Sequence, residues 1–238
     1  MIYVRIRGGS GHTLTADPVL LVGVSIALAA GVAEWTAQLV DYWGFDLRYG
    51  TLNGNSSAYA FSWLGALLMV TTIAAFLVLA RNDVHRRTCY ALAGAFAFFL
   101  VDNIANIHER SPNGKLYLLP VFGTVFALVW HVSTDSDPVV RRVLRFGLGA
   151  LGLSLAVHMG GPTVLARAGW PEHSWEYQVK IAIKECTELA GWALICSGAV
   201  SGALRARRVE MARRVGTSDI APRDDLKARP SASPVADS

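Results

Sequence analysis

Apolar residues dominate six long segments of the chain, and short polar segments separate them. Four of these segments hold 20 or more residues, enough for an α-helix to cross the hydrocarbon core of a bilayer. The pattern predicts an all-α integral membrane bundle of about six transmembrane helices. The predicted helices cover residues 18–40, 59–80, 88–107, 116–132, 143–158 and 175–203.

The same pattern divides the chain into three parts. Residues 1–17 form a polar cytoplasmic segment, and residues 18–204 form the transmembrane domain. Residues 205–238 form a cytoplasmic tail that is basic at first and then has the Pro, Ala, Ser and Asp content typical of disorder. The first apolar segment is too long for a signal-peptide core, so we expect an uncleaved helix.

Arginine is distributed unevenly between the two sets of loops. Cytoplasmic loops usually carry the excess of Lys and Arg, so both termini are predicted to lie in the cytoplasm, with the chain in the bacterial cytoplasmic membrane. The arginine-rich segments contain Arg5 and Arg7; Arg81, Arg86 and Arg87; Arg141, Arg142 and Arg145; and Arg205, Arg207, Arg208, Arg213 and Arg214.

Composition supports the lipid bilayer as the main partner. The chain is 53% hydrophobic and 17% charged, whereas soluble domains carry about 25% charged residues. The net charge of +4 follows the arginine pattern, and no zinc-finger or RNA-binding signature is present, so no nucleic-acid partner is expected.

Ionisable residues inside the predicted helices are the strongest functional signal, because such residues are costly in lipid and usually face the bundle interior. Helices 1, 3 and 6 each carry a stripe of them on one face. The stripes are Glu34, Gln38 and Asp41 in helix 1; Asp102, Asn106 and Glu109 in helix 3; and Gln178, Glu185 and Glu188 in helix 6. Lys180, Lys184 and Glu188 form a neighbouring stripe on helix 6.

Glu34, Asp102 and Glu185 are expected at one depth. A rise of 1.5 Å per residue puts each of them about 8 to 9 Å below the outer edge of the bilayer. If helices 1, 3, 5 and 6 are neighbours, these acids share one cavity. The sequence therefore predicts a polar centre in the outer half of the bundle, together with Asn106 and Lys184.

Three interpretations of this centre remain open. It is a structural network in which a lysine pairs with an acid, a metal site, or a pathway that carries protons or a cation. Mixed His and carboxylate ligands suit a divalent metal such as zinc, and Glu185 or Glu188 is then the base that activates water. The predicted metal ligands are Asp102, His108, Glu109 and His158.

Glycines and the remaining histidines give smaller signals. The Gly160-Gly161-Pro162 segment is expected to end helix 5. Gly147, Gly149 and Gly152 are expected to permit close helix packing. His85 is expected to be solvated.

Two segments resemble a group of uncharacterised bacterial multi-pass membrane proteins. In that group the third helix ends in an acidic residue, a five-residue gap and His-Glu, and the last helix bears Glu and Lys. The matching segments are Asp102 through His108-Glu109, and Trp175 through Lys184-Glu185 to Glu188 and Trp192. The resemblance implies no activity.

A looser similarity is to membrane metallohydrolases of the alkaline ceramidase type, which use Asp and His at a membrane-embedded zinc. Their H-x-x-x-H in the last helix is absent here. The resulting expectation is a membrane protein of undetermined activity, with a metal-dependent hydrolase of a small molecule or lipid as the enzymatic hypothesis. The alternatives are a proton- or cation-coupled transporter and a non-catalytic protein with a structural polar network.

Overall fold

A computed structural model describes residues 17–46, 60–82, 85–105, 114–171 and 174–218. The predicted all-α class is confirmed. The helices are α1 (Pro18–Phe45), α2 (Ala60–Asn82), α3 (Arg86–Ala105), α4 (Gly114–Thr134), α5 (Pro138–Ala168) and α6 (Trp175–Ser218). All except α4 are long and apolar enough to span a membrane, and α4 has a shorter apolar stretch, Leu119–Thr134.

Helix α6 is the centre of the bundle. It packs against α5, α1 and α2, whereas α3 packs mainly against α2 and α4 joins α3 to α5. The expectation that helices 1 and 5 neighbour helix 6 is therefore confirmed. Helix α3 lies farther out than expected, and the aromatic rings of Phe96 and Phe99 bring it into contact with Trp192 of α6.

Helices α1 and α5 begin with the same type of N-cap. Asp17 and Asp137 accept hydrogen bonds from the backbone N–H of Val19 and Val139, and a proline follows each cap. An N-cap carboxylate satisfies amide groups that the first helical turn leaves without partners. Each cap also contacts Arg205 of α6 at 3.1 Å, so this side chain joins the starts of α1 and α5 to α6.

The carboxyl groups of the two N-cap residues, Asp17 and Asp137, have lowered pKa values. Burial of Asp17 opposes ionisation, but hydrogen bonds from Ser201, Val19 and Arg205, with the Arg205 charge, hold its pKa below the usual value. For Asp137, the hydrogen bond from the backbone of Val139 lowers the pKa most, and the Arg205 charge adds to it. Both carboxylates therefore stabilise this end of the bundle above pH 3.8 and lose that contribution as the pH falls through their lowered pKa values.

Helices α1 and α6 run antiparallel in a constant register. At one end the Ser201 hydroxyl donates to Asp17 at 2.5 Å, and at the other Gln38 donates to Gln178 at 2.7 Å. Between these contacts the Cys186 thiol lies 3.0 Å from the carbonyl oxygen of Gly31. This register places Glu34 opposite the stretch of α6 that contains Lys184, Glu185 and Glu188.

Glycines bring α5 and α6 together. A Cβ at Gly147 would lie 2.8 Å from the Ile195 side chain and 3.1 Å from the Gly191 carbonyl oxygen, so no larger residue fits there. The expected role is thus confirmed for Gly147. It is wrong for Gly149, whose Cβ position has no neighbour within 4 Å, and Gly152 makes ordinary contact with Phe126.

Several boundaries differ from those predicted. Helix α5 continues through Gly160, Gly161 and Pro162 to Ala168, because a membrane helix tolerates a proline whose missing hydrogen bond is compensated nearby. Helix α6 continues to Ser218, well past the predicted end at residue 203. His85 is not fully solvated: its side chain is 19% exposed and contacts Asp135 at 2.7 Å.

The outward faces of the helices are apolar. Large side chains such as Leu28, Val32, Trp63 and Phe146 are each more than 60% exposed. A soluble protein would leave few such residues in contact with water, whereas lipid accepts them without cost. The exposed surface therefore supports a bilayer environment.

We expect Gly147→Val to separate α5 from α6 and lower the free energy of unfolding by about 1 to 3 kcal/mol, the usual cost of overpacking. Gly149→Val is the matched control, since its Cβ points into open space. Thermal or denaturant unfolding in detergent measures both. Equal losses in the two variants would contradict the close glycine contact.

Candidate functional site

The polar stripe of α1 faces inward, as predicted. Glu34 and Gln38 are each 1% exposed and Asp41 is fully buried. The three residues recur at i, i+4 and i+7, so one face of α1 carries them all toward α6. Small residues precede the acids on this face. One of them, Gly23, packs closely on Ser197.

Helix α6 contributes an ion-paired group to the same region. Lys184 Nζ lies 2.5 Å from Glu185 Oε1 and 3.5 Å from Glu188 Oε2. The indole N–H of Trp192 donates to Glu188 Oε1 at 3.4 Å. One lysine thus contacts two carboxylates, and the second pair follows the i, i+4 spacing of a helix.

A pocket of about 60 Å³ lies between these two helices, α2 and α3. We call it the glutamate pocket, because Glu34, Glu185 and Glu188 all line it. The remaining lining residues are Phe61, Ser62, Gly65, Met69, Asn103, Leu189 and Trp192. Glu34 lies 17 residues along the chain from Asp17, about 25 Å at 1.5 Å per residue, so the pocket is farther from the Arg205 end than the middle of a 30 Å bilayer core.

The predicted shared cavity is correct for two of its three acids. Glu34 and Glu185 line the pocket, but Asp102 does not, although its side chain is only 5% exposed. Its neighbour Asn103 takes the place expected for it, and the Asn103 amide donates to the Ser62 carbonyl oxygen at 3.3 Å. A change of one residue rotates a side chain by about 100° around the helix, which moves Asp102 to another face of α3.

The predicted metal ligands are not assembled among the described residues. Within the part of the chain that the structure describes, no group of three or more His, Cys, Asp or Glu side chains is arranged to hold a metal ion. Asp102 and His158 belong to this part, whereas Asn106, His108 and Glu109 lie outside it. The metal site therefore stays a prediction.

Lys180 approaches the site beside α5. A Cβ at Gly161 would lie 3.0 Å from the Lys180 side chain, so this glycine leaves room for the lysine stem. The ammonium group lies 5.1 Å from the centre of the Tyr177 ring, a cation–π distance. The glycine that sequence reasoning treated as a helix end is in fact a packing site for a charged side chain.

A second, larger cavity of about 350 Å³ lies nearer the end of the bundle that holds Arg205. We call it the basic-end cavity. It is bounded by α2, α4, α5 and α6 and is mainly apolar. Its lining residues are Phe76, Leu79, His85, Val132, Asp135, Ser136, Val140, Leu144, Gly198, Ala199 and Gly202.

Sequence reasoning gave no role to Asn103, Ser62 or the basic-end cavity. Asn103 and Ser62 are uncharged, so the cost of burying charge in lipid does not single them out. The cavity is lined by residues that are common in any apolar core. Its polar contact, His85 with Asp135, joins residues 50 positions apart and has no local pattern.

The sequence model of a family described as "Domain of unknown function (DUF8692)" matches residues 13–201. The chain belongs to this family. The matched region includes every residue that lines the glutamate pocket. No curated protein and no solved structure matches the chain.

Lys184→Met tests the ion pairing within this DUF8692 bundle. Removing the lysine leaves two partly buried carboxylates without their counter-charge, which costs about 3 kcal/mol, the lower end of the range for a broken buried pair. We expect Lys184→Met with Glu185→Gln to recover part of the loss, while Glu188 retains the rest. Unfolding in detergent measures both; equal losses in the single and double variants would contradict the pair.

Proposed function

We propose that the protein carries protons across the membrane and that the glutamate pocket is its proton-binding site. One observation carries the proposal: Glu34, Glu185 and Glu188 line a single pocket in which Lys184 ion-pairs with two of them. Carboxylates deep in a membrane protein are common elements of proton relays.

Charge balance supports proton binding. Three carboxylates around one pocket repel one another, and Lys184 and Lys180 of α6 supply positive charge beside them. Binding a proton at one of the carboxylates lowers the remaining repulsion. A carboxylate that binds a proton from one side of the membrane and releases it to the other carries that proton down its gradient.

Pocket size supports a very small occupant. Sites for drug-sized molecules measure about 300 to 1,000 Å³, and one water molecule occupies about 30 Å³ in the liquid. The glutamate pocket of about 60 Å³ is far smaller than such sites and has room for a few water molecules. Water, hydronium and small cations fit this volume.

A structural polar network is the second candidate. The contacts of Lys184 with Glu185 and Glu188, and the Gln38–Gln178 hydrogen bond, are of the kind that holds helices together in lipid. A metal-dependent hydrolase remains the third, and its predicted zinc ligands His108 and Glu109 lie outside the described residues.

The proposal includes an orientation. The arginine-rich segments favour the cytoplasmic side for both termini, and a bacterial cytoplasmic membrane supplies the proton gradient. The glutamate pocket then lies in the outer half of the bundle, and the basic-end cavity faces the cytoplasm.

Proton movement through reconstituted protein tests the proposal. Vesicles containing the purified protein and an internal pH-sensitive dye are given an inward proton gradient, with valinomycin and K⁺ to balance charge. We expect faster acidification than in protein-free vesicles, and a loss of most of that rate in Glu34→Gln and Glu185→Gln. Each substitution removes a proton-binding group and nearly preserves side-chain volume.

Glu176→Gln is the matched control, because Glu176 lies in the first turn of α6 and does not line the pocket. This variant should keep the wild-type rate. Proton movement that is unaffected by Glu34→Gln and Glu185→Gln would overturn the proposal. So would a wild-type rate no greater than that of protein-free vesicles.

A further inference from the structure

The glutamate pocket and the basic-end cavity lie at different levels of the same helices. Residues of α2 and α6 line both: Met69 and Leu189 border the glutamate pocket, and Leu79 and Gly202 border the basic-end cavity. Since α2 and α6 both run toward the Arg205 end, the two cavities follow one another along these helices.

Three aromatic rings connect the two cavities. Trp192 lines the glutamate pocket, and Phe76 lines the basic-end cavity. The Phe96 ring of α3 contacts both, with ring centres 5.4 Å from Trp192 and 5.8 Å from Phe76. All three side chains are at most 3% exposed. They form a continuous chain of ring contacts from one cavity to the other, which we call the aromatic gate.

We infer that the basic-end cavity is a second entrance to the glutamate pocket and that Trp192, Phe96 and Phe76 form the gate between them. This inference rests on the proposed function, because it gives the proton-binding site access from both membrane faces. The ligand of the entrance is water with the protons or small cations that it carries.

The entrance has the composition that this role requires. Its walls are mainly apolar, and His85, Asp135 and Ser136 supply polar groups. His85 contacts the carboxylate of Asp135 at 2.7 Å, and the Asp135 side chain is 61% exposed. Polar groups near solvent favour hydration of the cavity, whereas a constriction of large apolar rings excludes water and so closes a pathway to ions.

Trp192 links the gate to the site. Its ring packs on Phe96 and Phe99, while its N–H donates to Glu188. Hydrogen bonding to Glu188 depends on the charge of that carboxylate, because an ionised carboxylate is the stronger acceptor. The Trp192 side chain thus responds to the ionisation of Glu188 and also forms part of the aromatic gate.

Thiol accessibility tests the entrance without measuring transport. Cys89, Cys186 and Cys196 are replaced by alanine, and Ser62→Cys places one thiol in the glutamate pocket. Sealed vesicles are captured through an affinity tag at the C-terminus, so that the Arg205 end of the bundle faces the medium. Ag⁺ in nitrate buffer is the probe, since it binds thiols and is small enough for the pocket.

We expect the thiol at position 62 to react slowly in this background. Adding Phe96→Ala should increase the rate at least about tenfold, because it opens a constriction that excludes water. Phe146→Ala is the matched control, since Phe146 is 70% exposed on the lipid-facing side, and it should leave the rate unchanged. Phe96→Val, which removes the ring but leaves a smaller cavity than alanine does, provides a second gate variant if Phe96→Ala does not fold.

A thiol introduced by Ser136→Cys should react rapidly from the Arg205 side with or without the gate substitutions. Slow reaction at position 136 would overturn the inference that the basic-end cavity is an entrance. An unchanged rate of thiol reaction at position 62 in folded Phe96 variants would overturn the inference that the aromatic rings block access to the pocket. Both outcomes are independent of proton flux: a lack of proton transport with open thiol access would refute the proposed function and leave the entrance intact.

Discussion

Burial of charge in a medium of low dielectric constant determines the arrangement of this bundle. An ionisable side chain facing lipid costs at least about 2.5 kcal/mol, so Glu34 of α1 and the acids of α6 must face protein or water. The structure meets this requirement by pairing α1 with α6 in one register and by placing Lys184 beside Glu185 and Glu188. Helices α2 and α5 pack on α6, α3 packs on α2, and α4 joins α3 to α5.

Small residues make such burial possible. Gly23 admits Ser197, Gly147 meets Gly191, and Gly161 leaves room for Lys180. Lipid tails are as apolar as leucine, so helices in a membrane associate through close packing and hydrogen bonds rather than through hydrophobic burial. Close approach of α1 and α5 to α6 therefore supports the polar contacts that α6 makes, and the Arg205 contacts with Asp17 and Asp137 fasten the same three helices at one end.

The sequence predicts those features that follow from the periodicity of an α-helix or from its fixed rise per residue. The all-α class, the inward stripe of α1 and the matching depths of Glu34 and Glu185 all have this origin. Features that depend on the rotation of a helix within the bundle are not predictable in this way. Asn103 rather than Asp102 faces the pocket because α3 packs on α2 and α4, and no pattern within α3 encodes that choice.

Helix ends show the same distinction. Gly160-Gly161-Pro162 has the composition of a helix end, yet α5 continues to Ala168, and the Lys180 side chain packs at Gly161. The aromatic gate is likewise a product of tertiary packing, since Trp192, Phe96 and Phe76 belong to three different helices. Family membership adds that the matched region, residues 13–201, contains both the pocket and the gate.

Infrared spectroscopy of the carboxyl groups tests the central claim, that the glutamate pocket binds a proton, most directly. A protonated carboxyl group has a C=O band that is separate from the carboxylate bands and shifts in deuterium oxide. Proton binding in the pocket predicts such a band near neutral pH, lost or reduced on substituting Glu34, Glu185 or Glu188 by glutamine. A spectrum in which none of the three glutamine substitutions alters a protonated-carboxyl band would contradict it.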